Sequence, residues 1–206
     1  RAVNRTAFVA SELYSLYQID GWYISHEPTD MATANNYFLY TVPQLQSAYG
    51  LPVIISPAFC ANVSAPSFPS LLTQAGADIY SPQDCVGAGT SLTSPTQYTY
   101  DPSVTIGQLP AYLTAWQSAC ETADKTMWTH VETWQMDGPT YGNAYEAAWP
   151  RIKQQLCIEK ALAERVGVYP WNSRTDVLQG LLQEFEQVEL WVEGKLVYFK
   201  KGVCCG

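Results

Sequence analysis

Pro52-Val53-Ile54-Ile55-Ser56-Pro57 is a continuous apolar run that leaves through a serine and a proline. A short apolar run without alternation reads as a strand buried on both faces, the habit of parallel sheets covered by helices. Working outward, the same unit recurs. Upstream, Trp22-Tyr23-Ile24-Ser25 leads into His26-Glu27-Pro28, and downstream Asp78-Ile79-Tyr80-Ser81 leads into Pro82-Gln83-Asp84. Thr126-Met127-Trp128-Thr129-His130-Val131 ends at Glu132, and Arg165-Val166-Gly167-Val168-Tyr169 ends at Pro170-Trp171. Helical spacing separates the runs, over 32–49 (closed by Gly50), 70–75, 109–123 and 144–164. One more helix is predicted before the first strand, over 4–18. Another begins at Asp176, with Val177, Leu181, Leu182, Phe185 and Val188 on one side. Alternation of this kind predicts a parallel α/β fold, either a barrel or an open sheet. No glycine-rich phosphate-binding pattern is present, which weakens the nucleotide-binding open sheets.

Three stretches fall outside the repeat. The Thr-, Ser- and Gly-rich segment from Gly87 to Gly107 is too long for a simple connector and reads as a functional loop over a site. A second loop spans 137–143. After Trp191, the alternating segment Val192–Phe199 turns at Glu193-Gly194 and reads as a hairpin-like appendage. The expected division is therefore a main domain over 1–191 and a tail over 192–206.

Composition narrows the function classes. Charged residues are only 15% and hydrophobic residues 47%, which excludes a disordered chain or a solvated coiled coil. The net charge is −8, with 11 Lys and Arg in all, and the small basic cluster Lys195, Lys200 and Lys201 does not reverse it. A nucleic-acid partner is therefore not expected. No apolar run reaches the ~18 residues of a membrane span. The start, Arg1-Ala2-Val3-Asn4, carries no signal-peptide pattern. The surplus of Trp and Tyr suits carbohydrate, whose C–H faces stack on rings.

Six cysteines, Cys60, Cys85, Cys120, Cys157, Cys204 and Cys205, contain no C-x-x-C pair, and the histidines are His26 and His130. No zinc or other metal site is expected, and nothing calls for a cofactor. The even count makes all six candidates for disulfides, the adjacent Cys204-Cys205 tethering the tail to the body or to another chain. Asn4-Arg5-Thr6 and Asn62-Val63-Ser64 are glycosylation sequons. Together these features predict a secreted or extracellular protein.

The chemistry concentrates where the strands end. In parallel barrels the site lies at the C-terminal ends of the strands. Here those ends carry His26 and Glu27, then Ser56, Gln83 and Asp84, Glu132 and Trp134, and Trp171. Two carboxylates at one end of a barrel are what glycoside hydrolysis needs. One is protonated to release the leaving group, and the other attacks the sugar or activates water. Glu27 is the candidate acid, to be held protonated by apolar neighbours such as Trp22 and by the second carboxylate. Glu132 is the candidate nucleophile, Asp84 the reserve carboxylate, and Asp137 a further one from a loop. Gln83, Asp84, His26, Trp134 and Trp171 are candidate substrate contacts.

The runs Gly21-Trp22-Tyr23-Ile24-Ser25-His26-Glu27, Pro52 to Pro57, and Asp78 to Gly87 resemble, in that order, a glycosidase-like family. It is catalogued as domain of unknown function 4434. Val131-Glu132-Thr133-Trp134 resembles its acidic strand end, and the resemblance covers about 20–170. The resemblance implies a place among the retaining glycosidases on (β/α)8 barrels, with the acid/base Glu after strand four and the nucleophile after strand seven. Glu27 then ends strand four, Glu132 strand seven, and Trp171 strand eight as a sugar-stacking residue. His26 stands where that clan usually has Asn. The implied activity is hydrolysis or binding of a polysaccharide.

That register leaves strands one to three unaccounted for, so the expected fold is a TIM-barrel-like α/β domain lacking its first strands. Five parallel strands cannot close a barrel, and an open edge would be exposed. Three arrangements follow. A missing N-terminal piece could be a separate chain, the sheet could be open, or the edge could be buried against other copies, with the tail adding a strand to a partner. The last makes the chain an inactive structural protein of an extracellular filament or wall, derived from a glycosidase.

Overall fold

The structure, a computed structural model, describes residues 21–24, 27–87, 90–94, 97–100, 104–135, 145–169, 188–192 and 195–199. Asn4, His26, Asp137, Trp171, Cys204, Cys205, and the helices predicted over 4–18 and from Asp176 to 187, lie outside the described residues.

The elements follow the predicted alternation. In chain order they are β1 (Trp22–Ile24), α1 (Met31–Tyr49), β2 (Val53–Ile55), α2 (Phe68–Ala75), β3 (Ile79–Tyr80), β4 (Thr90–Ser94), β5 (Gln97–Tyr100), α3 (Leu109–Thr122), β6 (Thr126–Glu132), β7 (Trp134–Gln135), β8 (Tyr145–Glu146), α4 (Trp149–Lys160), β9 (Arg165–Tyr169), β10 (Val188–Val192) and β11 (Lys195–Phe199). One seven-stranded sheet runs in the order β1-β2-β3-β6-β9-β10-β11. Every pair in it is parallel except β10 with β11.

The strand order never reverses. Because crossovers between parallel strands keep one hand, a sheet wound in one direction puts its helices on one face. Burial alternates accordingly. Val53, Ile55, Tyr80 and Val131 are fully buried toward the helices, with Met127 and Thr129 beside them. Their neighbours Tyr23, Ile54, Ile79, Trp128 and His130 face the other way and are only partly covered. On that second face the Arg165 guanidinium lies 4.9 Å over the Trp128 ring, a cation–π contact between paired residues of β9 and β6.

Local chemistry sets the helix ends. Asp30 accepts the Ala32 N–H at 3.0 Å and starts α1, and Gly50 at φ 62° ends it by donating to the Gln46 carbonyl. Pro69, Pro110 and Pro150 each sit in the first turn of their helices, where no N–H partner is needed. α4 starts later than its apolar pattern predicts, because Tyr145–Glu146 is spent as β8 and Ala148 is extended before Pro150. Phe68 and Trp116 meet edge to face at 5.0 Å in the core, and the buried Tyr80 hydroxyl is satisfied by the Leu72 carbonyl at 2.6 Å.

Several expectations change. The segment read as a long loop after Gly87 contains an antiparallel hairpin, β4 with β5, built from alternating Thr, Ser and Tyr. Val188, predicted as the last apolar residue of a helix, instead opens β10, which pairs in parallel with β9. The hairpin expected around Glu193-Gly194 is β10 with β11, within the same chain, and its first strand crosses the predicted boundary at 192. β10 also overturns the strand count. Six parallel strands starting at number four would reach nine, one more than an eight-stranded barrel holds.

Three of the cysteines depart from expectation as well. Cys60, Cys85 and Cys120 carry free, buried thiols, so the pairing expected of them is not made. Their side chains point into the core, and burial pushes the Cys60 and Cys120 thiols up to about 12. Cys157, by contrast, is disulfide-bonded, as expected of it.

Candidate active site at the ends of β3 and β6

The site grows from the way the chain leaves β3. Beyond Tyr80 it runs alongside β6 for four more residues. The Pro82 carbonyl accepts the His130 N–H at 3.1 Å, and Asp84 N–H donates to the His130 carbonyl at 3.0 Å. Asp84 Oδ1 then accepts the Val86 N–H at 3.1 Å and turns the chain through Cys85, which takes a left-handed φ of 56°. For a residue with a Cβ this conformation costs about 1 kcal/mol, and the turn holds it.

The turn delivers two carboxylates into a reciprocal clamp. Asp84 Oδ2 accepts the Glu132 N–H at 3.3 Å, and Glu132 Oε2 accepts the Gly87 N–H at 2.8 Å. Glycine is required at 87 by close approach. A Cβ there would overlap the Trp134 carbonyl oxygen and press on Glu132 Oε2. Arg151 of α4 fastens the next residues, donating from Nη2 to the Glu132 carbonyl at 3.1 Å and the Trp134 carbonyl at 2.7 Å. Four residues on, Gln155 Nε2 donates to Asp84 Oδ2 in a short hydrogen bond. Another four residues on, Glu159 faces Asp84 and Thr129.

The electrostatics follow from burial. Asp84 and Glu159 are fully buried, and Glu132 is 1% exposed. Desolvation raises Asp84 to about 6, against the opposing hydrogen bonds of Val86, Gln155 and Glu159 and the charge of Arg151. Glu159 is pushed well above the ordinary carboxyl range, by burial first and by the Asp84 charge second. The Cys85 thiol is driven up by burial, then by Glu132, Asp84, Cys60 and Glu27. Glu27 and Glu132 thus both act on one thiol, from the ends of β1 and β6.

The predicted residues divide. Asp84, Glu132 and Trp134 come together, but all three are buried, Trp134 at 3% exposure, so its ring is packed and offers no stacking face. Gln83 is half-buried beside His130 in an isolated parallel bridge. Glu27 is exposed, and the apolar enclosure expected from Trp22 is not around it, because Trp22 packs on Tyr49 at 5.0 Å. Asn62 is exposed in the turn before α2. Ser56 is buried, its Oγ 3.2 Å from His130 Nδ1, and Ser81 Oγ is 3.3 Å from the same nitrogen.

Sequence reading missed His130, Arg151, Gln155 and Glu159. His130 projects from the partly covered face, and burial lowers its imidazole to about 4, so it is neutral at pH 7. Its ring lies against Gly167, where a Cβ would overlap it. The signal for the other three was present as an i, i+4, i+8 polar series on α4. A polar helical stripe normally faces water, and only the packing of α4 on β6 turns this one inward. Among the described residues no group of three or more side chains could hold a metal ion. Nor, among them, is any helix long and apolar enough to cross a membrane.

Comparison with one solved structure supports the fold. A putative alpha-L-fucosidase from Bacteroides thetaiotaomicron superposes with a TM-score of 0.63 at 17% identity, over 86% of this chain and 57% of that one. N-acetylneuraminate lyase from Fusobacterium nucleatum gives a TM-score of 0.42 at 11% identity, over 88% of this chain and 54% of that one. This chain therefore spans little more than half the length of either protein. No curated protein sequence matches it. Residues 1–177 match the family described as Domain of unknown function (DUF4434), and the chain belongs to that family.

Proposed function

We propose that this chain is glycoside hydrolase-like, part of a (β/α) barrel that acts on a polysaccharide outside the cell with two carboxylates. Glu27 is the proton donor and Glu132 the nucleophile. The observation that carries this reading is that Glu27 follows β1 and Glu132 ends β6, at the C-terminal ends of parallel strands in one sheet wound in one direction. The curvature of the sheet supports the barrel. His130 on β6 reaches Ser56 at the end of β2 across β3, which needs the partly covered face to be concave. The exposed sequon at Asn62 supports the location, whereas the three free thiols give it no help.

Replacing Glu132 by Gln tests the reading. The amide keeps an acceptor for the Gly87 N–H but cannot attack a sugar. With soluble polysaccharides and aryl glycosides as substrates, turnover by the wild type is expected to fall about 10³-fold or more, with folding unchanged. Product NMR is expected to show retained anomeric configuration. Equal turnover by the variant removes Glu132 from the mechanism.

A second reading is favoured by the 1% exposure of Glu132 and its bond to Gly87. A nucleophile must be reached by substrate, and this one is closed off. In that reading the chain is a glycosidase-derived assembly or binding protein, and no member of the substrate panel is turned over by the wild type.

A further inference from the structure

We propose that Glu159, held as a neutral acid, is a positioning residue that keeps Glu132 clamped through Asp84. Three carboxyl groups, Asp84, Glu132 and Glu159, share one buried region with, among the described residues, a single guanidinium, Arg151. Three anions against one cation cannot all stay ionised out of water, so at least one must carry a proton. Hydrogen bonding identifies it. Asp84 accepts N–H bonds from Val86, Glu132 and Gln155, and Glu132 accepts one from Gly87. Both Glu159 oxygens are buried, accept no N–H bond among the described residues, and face the Asp84 carboxyl and the Thr129 hydroxyl. The group without N–H donors is the one that best tolerates neutrality, and as an acid it donates to Asp84; burial and the Asp84 charge raise it, against the Thr129 hydroxyl.

The consequence is a link between one proton and the position of Glu132. A neutral Glu159 leaves Asp84 free to remain an anion and to hold the Glu132 N–H. Once Glu159 ionises, it repels Asp84 and Glu132, with Arg151 the one cation among the described residues that acts on Asp84 and the Cys85 thiol still neutral. The clamp then loosens, and the Glu132 carboxylate leaves the Gly87 N–H. The catalytic meaning of that release rests on the reading of Glu132 as nucleophile. The proton and the clamp do not.

The experiment reads the clamp alone, so its failure and the failure of the glycosidase reading are distinguishable. Amide hydrogen exchange of Gly87 and Glu132 is followed from about pH 6 to about pH 9 and corrected for intrinsic rates, in wild type and E159Q. In wild type, protection is expected to fall about tenfold per pH unit above the Glu159 transition, and in E159Q to stay flat. Parallel curves for the two proteins overturn the proposal. If E159Q does not fold, the Glu159 carboxyl carbon of wild type, read by ¹³C NMR at pH 7, decides. A protonated-acid shift is expected, and an ionised shift overturns the proposal.

Discussion

The end of β1 and the end of β6 carry the same residue type with opposite surroundings. Glu27 is exposed after a strand of three residues at the edge of the sheet. Glu132 closes a seven-residue strand in the sheet interior and is 1% exposed, held by Gly87, by Asp84 and, through its carbonyl, by Arg151. A charge at the edge is solvated by water. A charge in the middle must be solvated by fixed protein dipoles, so the residues around it become part of its chemistry.

The largest break in that contrast comes from Gly87→Ala. The added Cβ meets the Trp134 backbone oxygen, which cannot rotate away, so strand-end and turn must separate. A loss of about 3 kcal/mol in urea unfolding is expected. Glu132→Ala removes the acceptor and leaves the Gly87 N–H buried and unpaired, for an expected loss of about 2 kcal/mol. Glu27→Ala, at an exposed position, is expected to stay within about 0.5 kcal/mol. Equal losses for the two alanine variants would erase the distinction between the strand ends.

The last contrast is in the pH profile. Asp84 and Glu159 are raised in the folded protein, so the fold binds more protons than the unfolded chain. Their contribution is full at low pH and is lost as pH rises from about 4 through the raised values. His130 is depressed to about 4, so its contribution is present above about 6.5 and is lost as pH falls toward 4. Between those limits the two trends oppose, but two carboxyls outweigh one imidazole, so the thermal midpoint should fall gently with rising pH. His130→Gln should remove the opposing trend and make the midpoint fall more steeply with rising pH, as the carboxyls alone require. A variant with the wild-type profile would mean that His130 is solvated like an ordinary surface histidine.

Much of the frame was legible from local pattern. The apolar run at 52–57 became β2, and Gly50 and Gly76 close helices with positive φ at the ends of their periodic stretches. β10 was not legible, because Val188 fits a helical stripe as well as it begins a strand, and only pairing with β9 decides. The polar stripe on α4 misled for the reverse reason. Arg151, Gln155 and Glu159 look like a solvated face until β6 is laid beneath them. The free thiols of Cys60, Cys85 and Cys120 show the same limit, since an even count says nothing of which side chains meet.

What the sequence determined by itself was the alternation of strand and helix and the placing of carboxylates where strands end. Both depend on residues within a few positions of one another, where periodicity and turn chemistry act. Tertiary structure alone decided which carboxylate is wet and which is locked, and which acid must keep its proton. Those properties come from desolvation and from contacts such as Asp84 with Gln155, 71 residues apart, and no local pattern encodes them.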